Sequence, residues 1–210
     1  MNKKIKIIIG LALLLIVGLV FGIVWKNNQE LSEAQPEYAC FEDFIKQEID
    51  GQIFYENSKA KIKFMVPFQW TVIKSQMASI ALVSPDFADF KETNQEKAFI
   101  PKTGCWIGIS VKNCQIDDSD YAIIKDRLDH QNLISELNRA DDSYAIFNLN
   151  GKSMIQREFL IKNSDNAGKN ISLKLAEQNK VYLIETYLFG QNKEECQQSF
   201  DEFLNTVEIK

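Results

Sequence analysis

Between Ile5 and Trp25 the chain carries a single charge, Lys6, and from Ile7 onward it carries none; every side chain there is small or apolar. As a helix rising ~1.5 Å per residue, this stretch spans ~30 Å, the thickness of a bilayer's hydrocarbon core. A segment of this kind ties whatever follows to a membrane. Lys3, Lys4 and Lys6 precede the apolar core without any acid, and only Lys26 follows closely. Lysine is retained on the cytoplasmic side, so the pattern predicts a single-pass protein of the cytoplasmic (plasma) membrane. Its N-terminus is inside and its C-terminal domain is extracytoplasmic. Trp25 and Lys26 suit the membrane–water interface.

The apolar core exceeds that of a cleaved signal peptide, and the small-x-small site nearest to it, Ser32-Glu33-Ala34, lies far beyond Trp25. An uncleaved anchor is therefore expected. Residues 1–25 are read as tail and anchor, 26–38 as a polar tether with Pro36, and 39–210 as one folded domain. A flexible tether of this length reaches only ~20 Å on average, which keeps the domain close to the membrane.

Of 24 Lys+Arg and 29 Asp+Glu in the chain, three lysines belong to the tail. The external part is thus left with a net charge of −8. That balance argues against nucleic acid and anionic head groups as partners, since both need concentrated positive charge.

Four cysteines, Cys40, Cys105, Cys114 and Cys196, all fall in the external part, where disulfides are permitted. Cys105 starts an alternating run that reads as a strand. If that strand continues to Cys114, the two sulfurs lie ~30 Å apart. Cys40 and Cys196, each on an apolar stripe near one end of the domain, are the expected pair. Four buried thiols are the alternative.

Phe41, Phe44, Ile45 and Ile49 recur at helical spacing before Gly51 and predict a short helix. Strands are predicted around Ile62–Val66, Trp70–Ile73, Ser79–Val83 and Cys105–Val111. Residues 86–104 are polar and irregular, with Phe87, Phe90 and Phe99 scattered through them. Asp117, Asp118 and Asp120 cap a helix carrying Tyr121, Ile124 and Leu128, which Ile134 and Leu137 extend. Asn150-Gly151 marks a hairpin, residues 163–168 are turn chemistry, and Val181–Phe189 is apolar on both faces, as a central strand would be. A last helix places Cys196, Phe200, Phe203 and Leu204 on one stripe. Sequential hairpins with helices before, between and after them predict an α+β fold with an antiparallel sheet covered on both sides.

Tyr55-x-Asn57, Ile62-x-Phe64-x-x-Pro67-x-x-Trp70-x-Val72 and the closing Phe200-x-x-Phe203-Leu204-x-x-Val207 resemble the PsbP-like superfamily. The resemblance covers roughly residues 40–210. It implies about six antiparallel strands with helices on both sides, no shared catalytic residues, and action mostly by binding other proteins.

Chemistry for other roles is sparse. His130, the one histidine, sits among acids on the polar side of a predicted helix, with no nucleophile placed near it. No zinc-ligand spacing, phosphate loop or nucleophile elbow occurs, and the run 163–174 lacks the glutamate of a calcium loop. The expectation is a non-enzymatic binding module without catalytic, cofactor or metal-binding residues, engaging an envelope protein complex. Its candidate interaction surface comprises Trp106, Phe87, Phe90 and Phe99. The alternative is a small-ligand or lipid carrier with a pocket between sheet and helix.

Overall fold

The computed structural model describes residues 39–88, 90–92, 99–113, 119–162 and 167–210. The predicted anchor and tether, Cys114, Asp117 and Asp118 lie outside the described residues. Among the described residues, no helix is long and apolar enough to cross a membrane.

Two antiparallel sheets form the domain. The smaller contains β1 (Ile45–Ile49), β2 (Gln52–Asn57), β3 (Ile62–Met65) and β13 (Glu208–Ile209), in the order β1-β2-β3-β13. The larger has seven strands in the order β4-β5-β8-β12-β11-β10-β9. These are β4 (Thr71–Ile73), β5 (Ile80–Val83), β8 (Trp106–Asn113), β9 (Asp142–Leu149), β10 (Lys152–Lys162), β11 (Ala167–Glu177) and β12 (Lys180–Leu188). The helices are α1 (Ser119–Asp129) and α2 (Lys193–Leu204). The segment after Asp86 is not wholly irregular: β6 (Phe90–Glu92) and β7 (Phe99–Pro101) pair as a small hairpin. The α+β class holds, with seven strands and a second sheet where about six strands in one sheet were expected.

Side-chain alternation along the large sheet builds two cores. One face turns Ile107, Ile109, Val111, Leu173, Leu175, Tyr182 and Ile184 toward the small sheet and the Phe200–Leu204 stripe of α2. The other turns Ile155 and Val181 toward Ile124 and Ile134 beneath α1 and the turns that follow it. Helices therefore lie on both faces. The expected extension of α1 breaks into two 3-10 turns, Gln131–Leu133 and Ser135–Leu137, with Ile134 still buried between them.

The predicted helix over Phe41–Ile49 is a correction. A 3-10 turn, Phe41–Asp43, precedes strand β1. Residues four apart share a face in both a helix and a strand, so Ile45 and Ile49 satisfied both patterns. The turn decides: Asp50 and Gly51 take φ of 52° and 77°. Those are the left-handed values of a two-residue hairpin, and they send the chain back to pair β2 with β1. Asn150-Gly151 makes the same turn between β9 and β10, as predicted.

Tyr182 joins the two sheets. From β12 its buried hydroxyl donates to the Ala60 carbonyl, 2.7 Å away in the β2–β3 turn. Burial pushes the phenol up to about 12. Replacing Tyr182 by Phe leaves that carbonyl without its donor and is expected to cost ~1–2 kcal/mol by urea unfolding. The raised folded-state value means that the contribution is complete below the unfolded phenol's range near pH 10. It is lost as pH rises through about 12. Tyrosine absorbance followed against pH, beside circular dichroism, should show this phenol ionising only with unfolding. Ionisation well before unfolding would refute the coupling.

Candidate functional site

The small sheet covers only part of the large one. Its contacts concentrate where β9 and β10 turn: Leu149 and Met154 are buried there, and Asn150 Nδ2 donates to the Val207 carbonyl at 2.6 Å. Farther along β10 and β11, on that same face, Leu160 pairs with Lys169 and Lys169 with Leu188. This end lies open, and a flank of α2 forms the opposite wall. The result is a groove of about 650 Å³. Leu160, Gly168 and Leu188 line the sheet side, and Gln197, Gln198, Asp201 and Glu202 line the helix side.

The helix faces the groove by geometry. Its apolar stripe, Cys196, Phe200, Phe203 and Leu204, is buried against the core. Of the groove-lining residues, Gln197 and Asp201 flank that stripe and Gln198 and Glu202 lie nearer the far side of the helix, so methylene stems add to the wall while polar ends reach water. Lys169 is partly neutralised by Glu158 at 3.1 Å. Leu160 and Leu188 supply the apolar part of the floor, Lys169 lies between them with its charge met by Glu158, and the helix wall is polar. Position 168 admits no side chain, because any Cβ there would run into the Phe189 ring.

Two devices hold α2 in place. Cys196, in the first turns of the helix, is bonded to Cys105 at the start of β8, with Cα atoms 5.3 Å apart. Beside it, Ser84 Oγ accepts from the Cys105 amide at 2.7 Å and donates to Asp86 at 2.6 Å. The other Asp86 oxygen accepts from Asn192 Nδ2 at 2.8 Å, immediately before α2.

The expected Cys40–Cys196 pair is therefore a correction. The Ala39 amide donates to the Val111 carbonyl at 2.9 Å, six residues along β8 from Cys105, or roughly 20 Å at strand rise. Cys40 thus enters at the opposite end of β8 from the first turns of α2, out of disulfide reach of Cys196.

Trp106 presents no surface. It is fully buried on the other face of the large sheet, clustered with Ala81, Val83 and Phe87 and with the Tyr187 ring at 5.5 Å. Phe90 and Phe99 fall in the β6–β7 hairpin, and their side chains lie outside the description. His130 is exposed at the end of α1, its Nδ1 2.9 Å from the Asp126 carbonyl. Among the described residues no three His, Cys, Asp or Glu side chains gather as a metal site.

One titratable group drew no notice in the sequence. Glu185 on β12 sits opposite Ser172 and Gly108, on the face away from the groove. Burial raises its pKa, against the Asn170 amide and nearby Lys174, which lower it. Burial also raises that of Tyr187 two residues on. The Val181–Phe189 run reads as uniformly apolar apart from Glu185 and Thr186, and that interruption is the signal that marks them.

No family model matches the chain, and no curated protein does. Solved structures resemble it in fold. The solution structure of cyanobacterial PsbP (CyanoP) from Synechocystis sp. PCC 6803 is 12% identical with a TM-score of 0.46, over 75% of this chain and 91% of that one. LpqN, involved in cell envelope biogenesis of Mycobacterium tuberculosis, is 12% identical with a TM-score of 0.43, over 85% and 94%. A protein of Bacteroides thetaiotaomicron VPI-5482 is 12% identical with a TM-score of 0.41 over 71% of this chain, which spans 45% of that one. The likeness to PsbP is one of fold.

Proposed function

We propose that the chain is a membrane-tethered, extracytoplasmic, non-enzymatic binding module that holds part of an envelope protein in the groove beside α2. The observation that carries this is the groove itself: Leu160 and Leu188 flank the Glu158-paired Lys169 on the sheet side, opposite a polar helix wall held by a disulfide. The group with a burial-shifted carboxyl, Glu185, faces the opposite side of the sheet, so it does not serve the groove. The tether and anchor of the sequence supply the location.

A photo-crosslinking amino acid at exposed Gln198, in the full chain in cells, is expected to capture one protein. Leu160, itself 44% exposed, tolerates Leu160→Asp in the fold but not in the apolar part of the floor. That variant should cut the adduct at least ~tenfold, an effect of the size expected for a buried contact. No adduct, or one indifferent to the variant, would sink the proposal.

The groove volume also falls among small-ligand sites, which run ~300–1,000 Å³, and this favours a carrier of a small apolar ligand as the second reading. Native mass spectrometry of the intact chain from membranes separates the two. A bound small molecule that Leu160→Asp releases supports the carrier, and a bare chain with a protein adduct supports the module.

A further inference from the structure

The small sheet has an outer face that packs against nothing among the described residues. Alternation places Ile53, Tyr55, Ile62 and Phe64 toward the core. Register then sets Ile45, Gln47 and Ile49 of β1, Phe54 of β2 and Met65 of β3 on the opposite face, with Gln47 beside Phe54 and Phe54 beside Met65. Ile45 is 61% exposed and Ile49 44%. Just past Met65, in the loop after Pro67, Phe68 is 88% exposed. A Phe held that far into solvent, beside a strip of Ile, Phe and Met, is an apolar patch of the kind that marks a contact surface. The β1–β2 hairpin tip, Asp50-Gly51, lies at the same end of the sheet as Phe68, because the Val66 amide bonds the Ile53 carbonyl at 2.8 Å.

We infer that this face rests on the lipid bilayer, with Phe68 and Ile49 inserted at the level of the head groups. The inference rests on the tethered-module reading above. Strand β1 begins at Ile45, six residues after Ala39, where the described chain starts. Only residues 26–38 separate that point from the apolar segment, a reach of ~20 Å. A domain held so close meets the surface continually, and tethering replaces intrinsic affinity with a high effective concentration. A few apolar side chains, too weak to bind a soluble domain, then suffice.

The patch carries no concentrated positive charge. Lys63, whose Nζ lies 4.9 Å from the Phe54 ring centre, neighbours Glu56 and Glu208 across the strands. Contact is therefore apolar and insensitive to salt, in keeping with the acidic balance of the external part. It would also fix the domain's orientation, leaving α1 on the far side of the large sheet, away from the membrane.

The test uses the full chain reconstituted in zwitterionic vesicles of phosphatidylethanolamine and phosphatidylcholine. A benzophenone amino acid replaces Phe68, Ile49 or Ile45 in turn, with Ile123 of α1, also exposed, as the control. Lipid adducts at the three positions are expected at least ~tenfold above the control, unchanged between low and high salt. Extraction with alkaline carbonate reads the anchor separately. Release of the chain overturns the anchor and this contact together. Retention with adducts no higher than at Ile123 overturns the contact alone. Adducts between two chains overturn it in favour of self-association.

Discussion

Replacing Cys105 and Cys196 together by alanine is expected to lower the stability of the domain by about 4 kcal/mol, since the bond closes a loop of about ninety residues. Both cysteines are almost fully buried, so part of the loss comes from packing as well as from the released chain entropy of the unfolded state. The effect should not stop at stability. Cys196 lies in the first turns of α2, and without the bond that end of the helix is left to core packing and the Ser84–Asp86–Asn192 hydrogen bonds. The groove wall would then loosen before the core does. Urea unfolding of the variant and the parent, with hydrogen exchange along α2, checks both statements. A variant within about 1 kcal/mol of the parent, or one whose first helical turns exchange no faster, would show that the bond is not what positions the helix.

Phe203→Ala is expected to cost about 3–5 kcal/mol, the range for deleting a buried aromatic side chain. Phe203 is 1% exposed. Its ring meets Phe64 of the small sheet edge-on, with centroids 5.7 Å apart, an arrangement that adds to the area buried. Phe64 in turn packs with Phe44 and Tyr55, so α2 and the small sheet share this junction. Phe203→Leu refills most of the space and should cost about half as much or less. Equal losses for Ala and Leu would place the energy in ring contacts rather than in volume. A loss below about 1 kcal/mol for Ala would mean that the two layers do not depend on this contact.

These residues also show where sequence reasoning carries and where it stops. The stripe of α2 was legible because spacings of three and four across Cys196, Phe200, Phe203 and Leu204 admit only one buried face. The β9–β10 hairpin was legible because Asn-Gly is a local preference that tertiary packing rarely overrides. Segment 41–49 was misread because a spacing of four fits two periods, and the hydrogen bonds that distinguish them belong to β2. The exposed Phe68 gave no signal, since nothing in Pro67-Phe68-Gln69 tells whether the ring turns in or out.

By itself the sequence determined the apolar N-terminal segment, the acidic balance of the rest of the chain, the α+β class and most strand positions. All of these depend on composition or on contacts between near neighbours. Tertiary structure alone decided which cysteine meets Cys196, which end of the large sheet stays uncovered, and which face of the small sheet is left bare. Each of these requires knowing where β8 runs relative to α2, or how far one layer extends over another. Such relations join residues ninety or more positions apart, and no local periodicity encodes them.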